Sequence, residues 1–573
     1  MNDTVRMILH GAGLKNMVTE VVPSLVLAVC ALVLPRPLAG LSRLGKAVAR
    51  RRWLAALLVG LSPVLIRLAL LPVLPAQTPT YHDEFTYLLM SDTFSHGRLT
   101  NPPHPLWKHF ESFHILMHPT YASAFPVAQG AVMAAGQVLT GRPRAGVLLS
   151  AGLMCAGFYW MLLAWVPPAW ALLGAGLAVL RFGILSYWVN TYFGGPVPAL
   201  GGALVLGALP RIQRGIRRRD ALLMGIGLVM LANSRMYEGL VFSLAAGAVL
   251  LAWLFGRSGP PLPIAASRLA APVVLVLLLA GAWMAYYNYR VTGNPAVLPY
   301  VAYRNANAFV PHFIWQPLRP RPVFLHKTTE EFYAGSELRR YEKARSLDPA
   351  RLVWRIVRRI WQFYVGPLLT VPLLAAAVLW RSRKVRVLAV AAAAVVAAMS
   401  VEVWDLGHYA APATAAILAL IVMGLRVMNL WRWKGRRVGT GLVAALTLGF
   451  AATVGIRAAA GPQPWDREPW DRWDWTYAGL VERAAILEKL EATPGRDLVI
   501  VRYGPAHIVH HEWVYNRADI DAAPVVWARE MDPASNLRLL EYFHDRTAWL
   551  VEADLTPPRL TPYPAMAAPV VRQ

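Results

Sequence analysis

Residues 53–74, WLAALLVGLSPVLIRLALLPVL, are followed after six residues by Tyr81-His82-Asp83-Glu84-Phe85-Thr86-Tyr87, and this stretch decides how the chain folds. A membrane-spanning helix needs about 20 mostly apolar residues. Residues 53–74 supply them with one charge, Arg67. On one side lies the basic run Arg43 to Arg52; on the other, a polar loop carries two adjacent carboxylates. Basic flanks mark the cytoplasmic side of a span, so the carboxylates emerge on the outside.

The same pattern recurs outward from this stretch. About twelve candidate spans lie near 18–34, 53–74, 145–165, 169–189, 195–210, 220–235, 239–256, 268–287, 361–380, 386–402, 409–429 and 438–457. Residues 18–34 read as an uncleaved anchor, since no small-residue cleavage site follows the apolar core. The chain has 573 residues, 56% hydrophobic and 16% charged, with mean hydropathy +0.41. Soluble domains carry about 25% charge. The net charge of +25 sits in short loops between apolar stretches, which excludes nucleic acid as the partner. Both cysteines, Cys30 and Cys155, lie in apolar segments and read as packing residues.

With Arg43–Arg52 inside, alternation through the spans puts the basic runs at 211–219, 257–268, 381–386 and 426–437 inside as well. Three long segments fall outside: 75–144, 288–360 and 458–573. Arg142 and Arg144 oppose this orientation, and residues 126–139 must then be an outer interfacial helix. Residues 1–52 form an anchor and basic cytoplasmic segment, and 53–460 the transmembrane core. Residues 461–573 open on a tryptophan-rich entry and continue as short strands at 497–503, 525–529 and 547–552, with helices near 479–492 and 535–545. The fold class is therefore a polytopic α-helical membrane protein with a small C-terminal extracytoplasmic α/β domain.

Asp83 and Glu84 stand where a group in the outer leaflet meets one from the water side. A carboxylate there can take a proton from an attacking hydroxyl; the plain alternative is a solvated helix start. Six of fourteen histidines fall between His82 and His118. With the carboxylates they offer donors for a divalent metal. Pro102, Pro103 and Pro105 break any regular ligand spacing, so contacts to a sugar or phosphate are expected and no metal is assigned. Ionisable groups at membrane depth are functional candidates. Arg235 and Glu238 sit at one outer turn, and Glu402, Asp405, His408 and Tyr409 at another; Arg67 and Arg181 read equally as structural ion pairs. Arg304 follows the tyrosine-rich segment from Tyr286. Arg351, Arg355, Arg358 and Arg359 recur at helical spacing, a membrane-surface helix with arginines at lipid phosphates.

Together these residues resemble the GT-C superfamily of polytopic glycosyltransferases, in particular its protein mannosyltransferase and aminoarabinose transferase branch. Asp83, Glu84, Tyr87 and Gly97 match its first outer loop, Phe125-Pro126 the helix closing that loop, and His408-Tyr409-Ala410-Ala411-Pro412 a turn before a late span. Asn190 stands where the family often has an acidic residue. The resemblance implies transfer of a sugar from a polyprenyl-phosphate donor to a lipid, polysaccharide or protein acceptor outside a bacterial inner membrane. It implies Asp83 as base, assisted by Glu84, with Arg235, His408 and Arg304 near the phosphate and Tyr87, Tyr409, Asn190 and Glu238 in the substrate site. A transporter or flippase of a lipid-linked glycan, or a catalytically silent relative, explains the spans but accounts less well for long outer segments and a carboxylate pair outside the membrane core.

Overall fold

The computed structural model describes residues 35–463 and 472–564, with side chains from residue 43 onward. The expected anchor at 18–34 and much of the tryptophan-rich entry lie outside the described residues. Among those described, seven helical stretches are long and apolar enough to cross a membrane: Arg52–Ala69, Pro143–Leu162, Met236–Leu254, Leu262–Thr292, Pro349–Leu379, Gly407–Asn429 and Val438–Ala459. The other candidates from 169 to 402 also form helices: Pro168–Phe182, Pro196–Arg214, Arg218–Ala232 and Arg383–Met399. Their apolar lengths are shorter or more charged, because Pro and Arg bound them closely. Many helices open on proline, as at Pro143, Pro168, Pro196, Pro299 and Pro349. Proline fits there because the first-turn N–H has no intrahelical acceptor.

Small residues bring the spans together. Gly60 faces Gly152 so closely that a Cβ on Gly152 would stand 2.5 Å from the Gly60 carbonyl. The buried charges inside this bundle are tied to backbone. Arg67 donates to Asn190 Oδ1 at 2.7 Å and to the Leu74 and Pro75 carbonyls. Arg181 donates to the carbonyls of Phe363 and Gln362 and lies over the Trp473 ring. Arg144 reaches the carbonyls of Gln77, Val189 and Asn190, so backbone oxygens meet its charge. Where an interfacial helix is expected at 126–139, the chain forms the helix Val127–Thr140.

Pro349–Ile360 runs through a π-turn over Trp361–Val365, and Gly366 at φ +67 and ψ 179 breaks the helical path before Gly366–Ala375, so a first helix is followed by a second as expected. The C-terminal sheet has Asp497–Arg502 at its centre, with Val525–Arg529 and Thr547–Glu552 parallel on either side. A strand that sequence reading missed, Arg559–Pro562, adds antiparallel to Thr547–Glu552. It is short, half-exposed and proline-bounded, so it lacks the apolar run that marks the other three.

This domain is docked on the first outer loop. Glu512 N donates to the Thr80 carbonyl at 3.0 Å, and Ala518 N donates to Asp92. Ser112 and Arg529 donate to the Glu512 carboxylate, while the Arg483 guanidinium lies between the Phe85 and Trp527 rings. Of the clustered histidines, His104 contacts Asp521 at 3.1 Å, and His109 contacts the carbonyls of Arg529 and Ser535. These two serve as fasteners between loop and domain.

Candidate active site

Asp83 and Glu84 enter the site through one helix, His82–Ser95, which starts directly after the polar loop. Consecutive helical residues point about 100° apart, so the two carboxylates cannot face the same way. Glu84, at the third position, turns back over the helix start. Its Oε2 accepts from Thr80 N at 3.0 Å and Tyr81 N at 3.3 Å, and its Oε1 from Tyr192 N at 3.2 Å. That is a capping-box carboxylate extended to a second loop. Burial lifts the Glu84 carboxyl to about 7, against three backbone donors that favour its charged form. The helix ends with Gly97 at φ +70, a left-handed position that glycine adopts without a Cβ penalty.

Asp83 instead opens into a cavity of about 390 Å³, with its side chain 28% exposed. His82 Nδ1 lies 3.1 Å from Asp83 Oδ2, and His114 Nε2 4.0 Å from Asp83 Oδ1. Burial alone would raise the Asp83 carboxyl, but His82, followed by His114 and His408, holds it well below the usual carboxylate range. His114 stands at φ +60, a conformation uncommon for a non-glycine residue, at the edge of the short pair Ile115–Leu116 and Ala122–Ser123. Burial pushes its imidazole down to about 3. One donor atom each from His82, Asp83 and His114 lie within 4.8 Å of one another, so this set has the donors to hold a divalent cation.

The cavity gathers the outer ends of distant segments. The start of Met236–Leu254 brings Arg235 from its N-cap and Glu238 from its first turn, and the 3-10 segment Gly407–Ala413 brings His408 and Tyr409. The Arg235 guanidinium lies 4.1 Å from the Tyr409 ring centroid, and His408 Nδ1 lies 3.1 Å from the Tyr187 hydroxyl. Phe125 and Pro126 form part of the wall beside Tyr87. The second outer segment contributes Tyr300, Arg304, His312 and, from the helical stretch 327–346, Phe332, Glu337 and Arg340. The C-terminal domain reaches in with His510, whose Nδ1 is 3.4 Å from His82 Nε2.

Asp83, Tyr87, Arg235, Glu238, Arg304, His408 and Tyr409 thus line one cavity. Glu84 and Asn190 do not. Glu84 is occupied as a helix cap, and Asn190 bridges Arg67 and the Trp475 carbonyl, a tie between the first span and the segment leading to the C-terminal domain. Arg304 lines the wall but is already engaged: its Nη1 is 2.6 Å from Glu337 Oε1, and it donates to the Val310 carbonyl.

Sequence reasoning missed His312, Glu337, Arg340 and His510. The helix carrying Glu337 and Arg340 looks solvated because it is highly charged. Yet Tyr333, Glu337, Arg340, Tyr341 and Ala344 fall at helical spacing on one face, a signal present in the sequence. His510 has no local signal, since it meets His82 only through domain docking.

No family profile matches the sequence, and no curated protein matches it. Solved structures do. One is AglB, the oligosaccharyltransferase of Archaeoglobus fulgidus, in complex with an inhibitory peptide and a dolichol-phosphate: 11% identity over 87% of this chain and 69% of that one, TM-score 0.46. Another is ArnT from Cupriavidus metallidurans bound to undecaprenyl phosphate: 14% identity over 90% of this chain and 93% of that one, TM-score 0.43. Both are GT-C superfamily membrane glycosyltransferases.

Proposed function

We propose that this protein is a membrane glycosyltransferase that moves a sugar from a polyprenyl-phosphate donor to the hydroxyl of an extracytoplasmic acceptor. The observation that carries this reading is Asp83: a charged carboxylate oriented by His82, exposed in a cavity of about 390 Å³ directly beyond the outer end of a span. The acceptor oxygen attacks the anomeric carbon while its proton passes to Asp83. The bond from that carbon to the phosphate oxygen breaks, and the electron pair leaves with the lipid phosphate. A phosphate leaving group needs cations more than a proton donor, so one base with arginines nearby suffices, without the paired carboxylates of glycoside hydrolysis. His82 keeps the Asp83 carboxylate in one orientation and in its basic form.

Tyr87, Tyr300 and Tyr409 present hydroxyls and ring faces suited to a sugar, and Glu238 and Glu402 offer acceptors for its hydroxyls. The Lys/Arg bias supports an outward-facing cavity, and the family resemblance supports a bacterial inner membrane as its setting. The acceptor is a lipid, polysaccharide or protein hydroxyl entering beneath the C-terminal domain.

The test is sugar release from a radiolabelled polyprenyl-phosphate-sugar by the purified full-length chain, beside Asp83→Asn. Transfer or slow hydrolysis that falls by about 10²–10⁴ in the folded variant is the expected result. Equal turnover in both proteins removes Asp83 from the chemistry. Donor movement across a sealed vesicle without sugar release favours a transporter.

A further inference from the structure

The segment His507-Ile508-Val509-His510-His511-Glu512 follows the central strand Asp497–Arg502 at its carboxyl end, where parallel sheets commonly present their ligand-binding loops. It is pinned on both sides of His510. His507 Nδ1 lies 2.7 Å from Asp554 Oδ1, and the Asp554 carboxylate also accepts from Gly504 N at 2.7 Å. On the other side, His511 pairs with Tyr81 in an isolated antiparallel bridge, and Glu512 N donates to the Thr80 carbonyl at 3.0 Å. The Glu512 carboxylate itself accepts from Ser112, Tyr503 and Arg529. A loop fixed at both shoulders holds the side chain between them in one place. That side chain is His510, and among the described residues it is the C-terminal domain's contribution to the cavity holding Asp83.

The direction of its hydrogen bonds follows from its neighbours. A neutral imidazole donates from one ring nitrogen and accepts at the other. His82 Nδ1 lies 3.1 Å from the Asp83 carboxylate, which draws the ring proton to that nitrogen and leaves Nε2 as an acceptor. His510 Nδ1, 3.4 Å from His82 Nε2, is then the nitrogen that donates. His510 Nε2 is left with a lone pair. It hydrogen-bonds to no group among the described residues, and it is not one of the buried polar atoms shut away from solvent. Phe332 stands edge-on to both rings, 5.2 Å from His82 and 5.6 Å from His510, which limits how either imidazole turns.

The position of that lone pair decides what it meets. When a hydroxyl attacks the anomeric carbon opposite the departing phosphate, base and attacking group share one side of the sugar. His510 reaches Asp83 through a single imidazole, and it comes from the α/β domain, whereas Arg235 and Tyr237 enter at the start of the helix Met236–Leu254. Both facts put His510 with the acceptor and not with the lipid phosphate. The attacking hydroxyl gives its proton to Asp83, so the donor that His510 Nε2 meets is another hydroxyl of the same molecule. Phe332 and Trp404 line the same wall, an apolar surface suited to the carbon skeleton between two hydroxyls.

We infer that His510 positions the acceptor: its Nε2 accepts a hydrogen bond from a hydroxyl other than the one that attacks, so the acceptor group is a polyol, a sugar or a glycerol unit, and not an isolated alcohol. The inference rests on the glycosyltransferase reading for the reaction. It makes the C-terminal domain part of the acceptor site.

The test gives the purified full-length chain a radiolabelled polyprenyl-phosphate-sugar and one of two surrogate acceptors with the same carbon skeleton, glycerol or 1-propanol, with hydrolysis followed alongside. The readout is the ratio of kcat/KM for glycerol to that for 1-propanol. General losses of activity cancel within the ratio, and the alcohols' own reactivities cancel when native and variant ratios are compared. The native protein is expected to favour glycerol. His510→Ala is expected to lower the ratio by about three- to tenfold, the loss of one neutral hydrogen bond, mainly through KM for glycerol. His510→Gln, whose amide oxygen replaces the lone pair, is expected to recover most of it. His544→Gln, at an exposed histidine of the same domain, is expected to keep the native ratio. An unchanged ratio in folded His510→Ala overturns the inference, as does a native protein that does not favour glycerol. An equal fall for both alcohols also overturns it, since His510 then acts on the base through His82. If His510→Ala fails to fold, His510→Phe keeps a ring beside Phe332 without the lone pair and carries the test with the same expected loss. Sugar release or transfer with a ratio indifferent to His510 removes this inference alone; a chain that neither hydrolyses nor transfers removes the glycosyltransferase reading and this inference with it.

Discussion

Replacing Glu84 by glutamine tests whether the two adjacent carboxylates have the separate tasks that helix geometry gives them. The native Glu84 accepts three backbone N–H groups, two on Oε2 and one on Oε1. Glutamine retains one oxygen. In its better orientation that oxygen keeps Thr80 and Tyr81, and the new NH₂ faces the Tyr192 N–H, donor against donor. One buried N–H left unsatisfied costs about 1–3 kcal/mol, and above about pH 8, where the Glu84 carboxyl is ionised, converting two charge-assisted bonds to neutral ones roughly halves each. The sum is a loss of about 2–4 kcal/mol, seen as an apparent melting temperature several degrees lower for the full-length protein in detergent. Turnover per folded molecule, measured well below that transition, is expected to stay within about threefold of native, because Asp83 and its cavity are untouched. Asp83→Asn should give a different pattern: some loss in melting, because the paired carboxylate that His82 holds in its charged form is removed, but turnover lower by about 10²–10⁴. A Glu84→Gln protein that melts like native yet has lost turnover refutes the separation of roles, and so does an Asp83→Asn protein that unfolds early but still transfers sugar.

Further outcomes follow from the same geometry. Removing His82 by His82→Ala takes away the closest group lowering the Asp83 carboxyl, so the acidic limb of the pH–rate profile should move upward toward the ordinary carboxylate range; a limb that stays put removes His82 from this task. Arg304→Gln leaves Glu337 buried without its partner and should cost about 3–5 kcal/mol, whereas Arg304→Met with Glu337→Leu should recover much of that in a double-mutant cycle followed by thermal melting. His312 is pushed down to about 4, first by burial and then by Arg304 and Arg235. Its unfolded form therefore binds a proton below about pH 6.5 before the folded form does, and stability is lost on acidification from pH 8 to 5. For a side chain one-third exposed, about 1 kcal/mol is a fair discounted figure, read as the difference in pH slope between native and His312→Gln melts. Gly202→Ala would put a Cβ 2.1 Å from the Pro412 carbonyl, pushing apart the helices that seat His408. A loss of about 1–3 kcal/mol in stability together with reduced turnover is expected, and a variant with native melting refutes that close approach.

The legible part of this chain is the part governed by short-range rules. The helices and the three apolar strands each depend on a few neighbouring residues and appear where periodicity puts them, seven helical stretches among the described residues being long and apolar enough to cross a membrane. The same rules put Asp83, Arg235 and His408 at or beside the ends of helices, and packing collects them in one cavity. What stays hidden is the state of each side chain once collected. Arg304 and Arg340 are both arginines of the second outer segment, yet one is neutralised by Glu337 and the other belongs to three sharing Asp405. Those partners stand 33 and 65 residues away, beyond any local pattern. Adjacent Asp83 and Glu84 make the opposite case, since local helical geometry alone separates a cavity carboxylate from a capping one. Sequence therefore locates this chamber through its helices, while charge balance within the fold decides which of its groups remain available to a phosphate or a sugar.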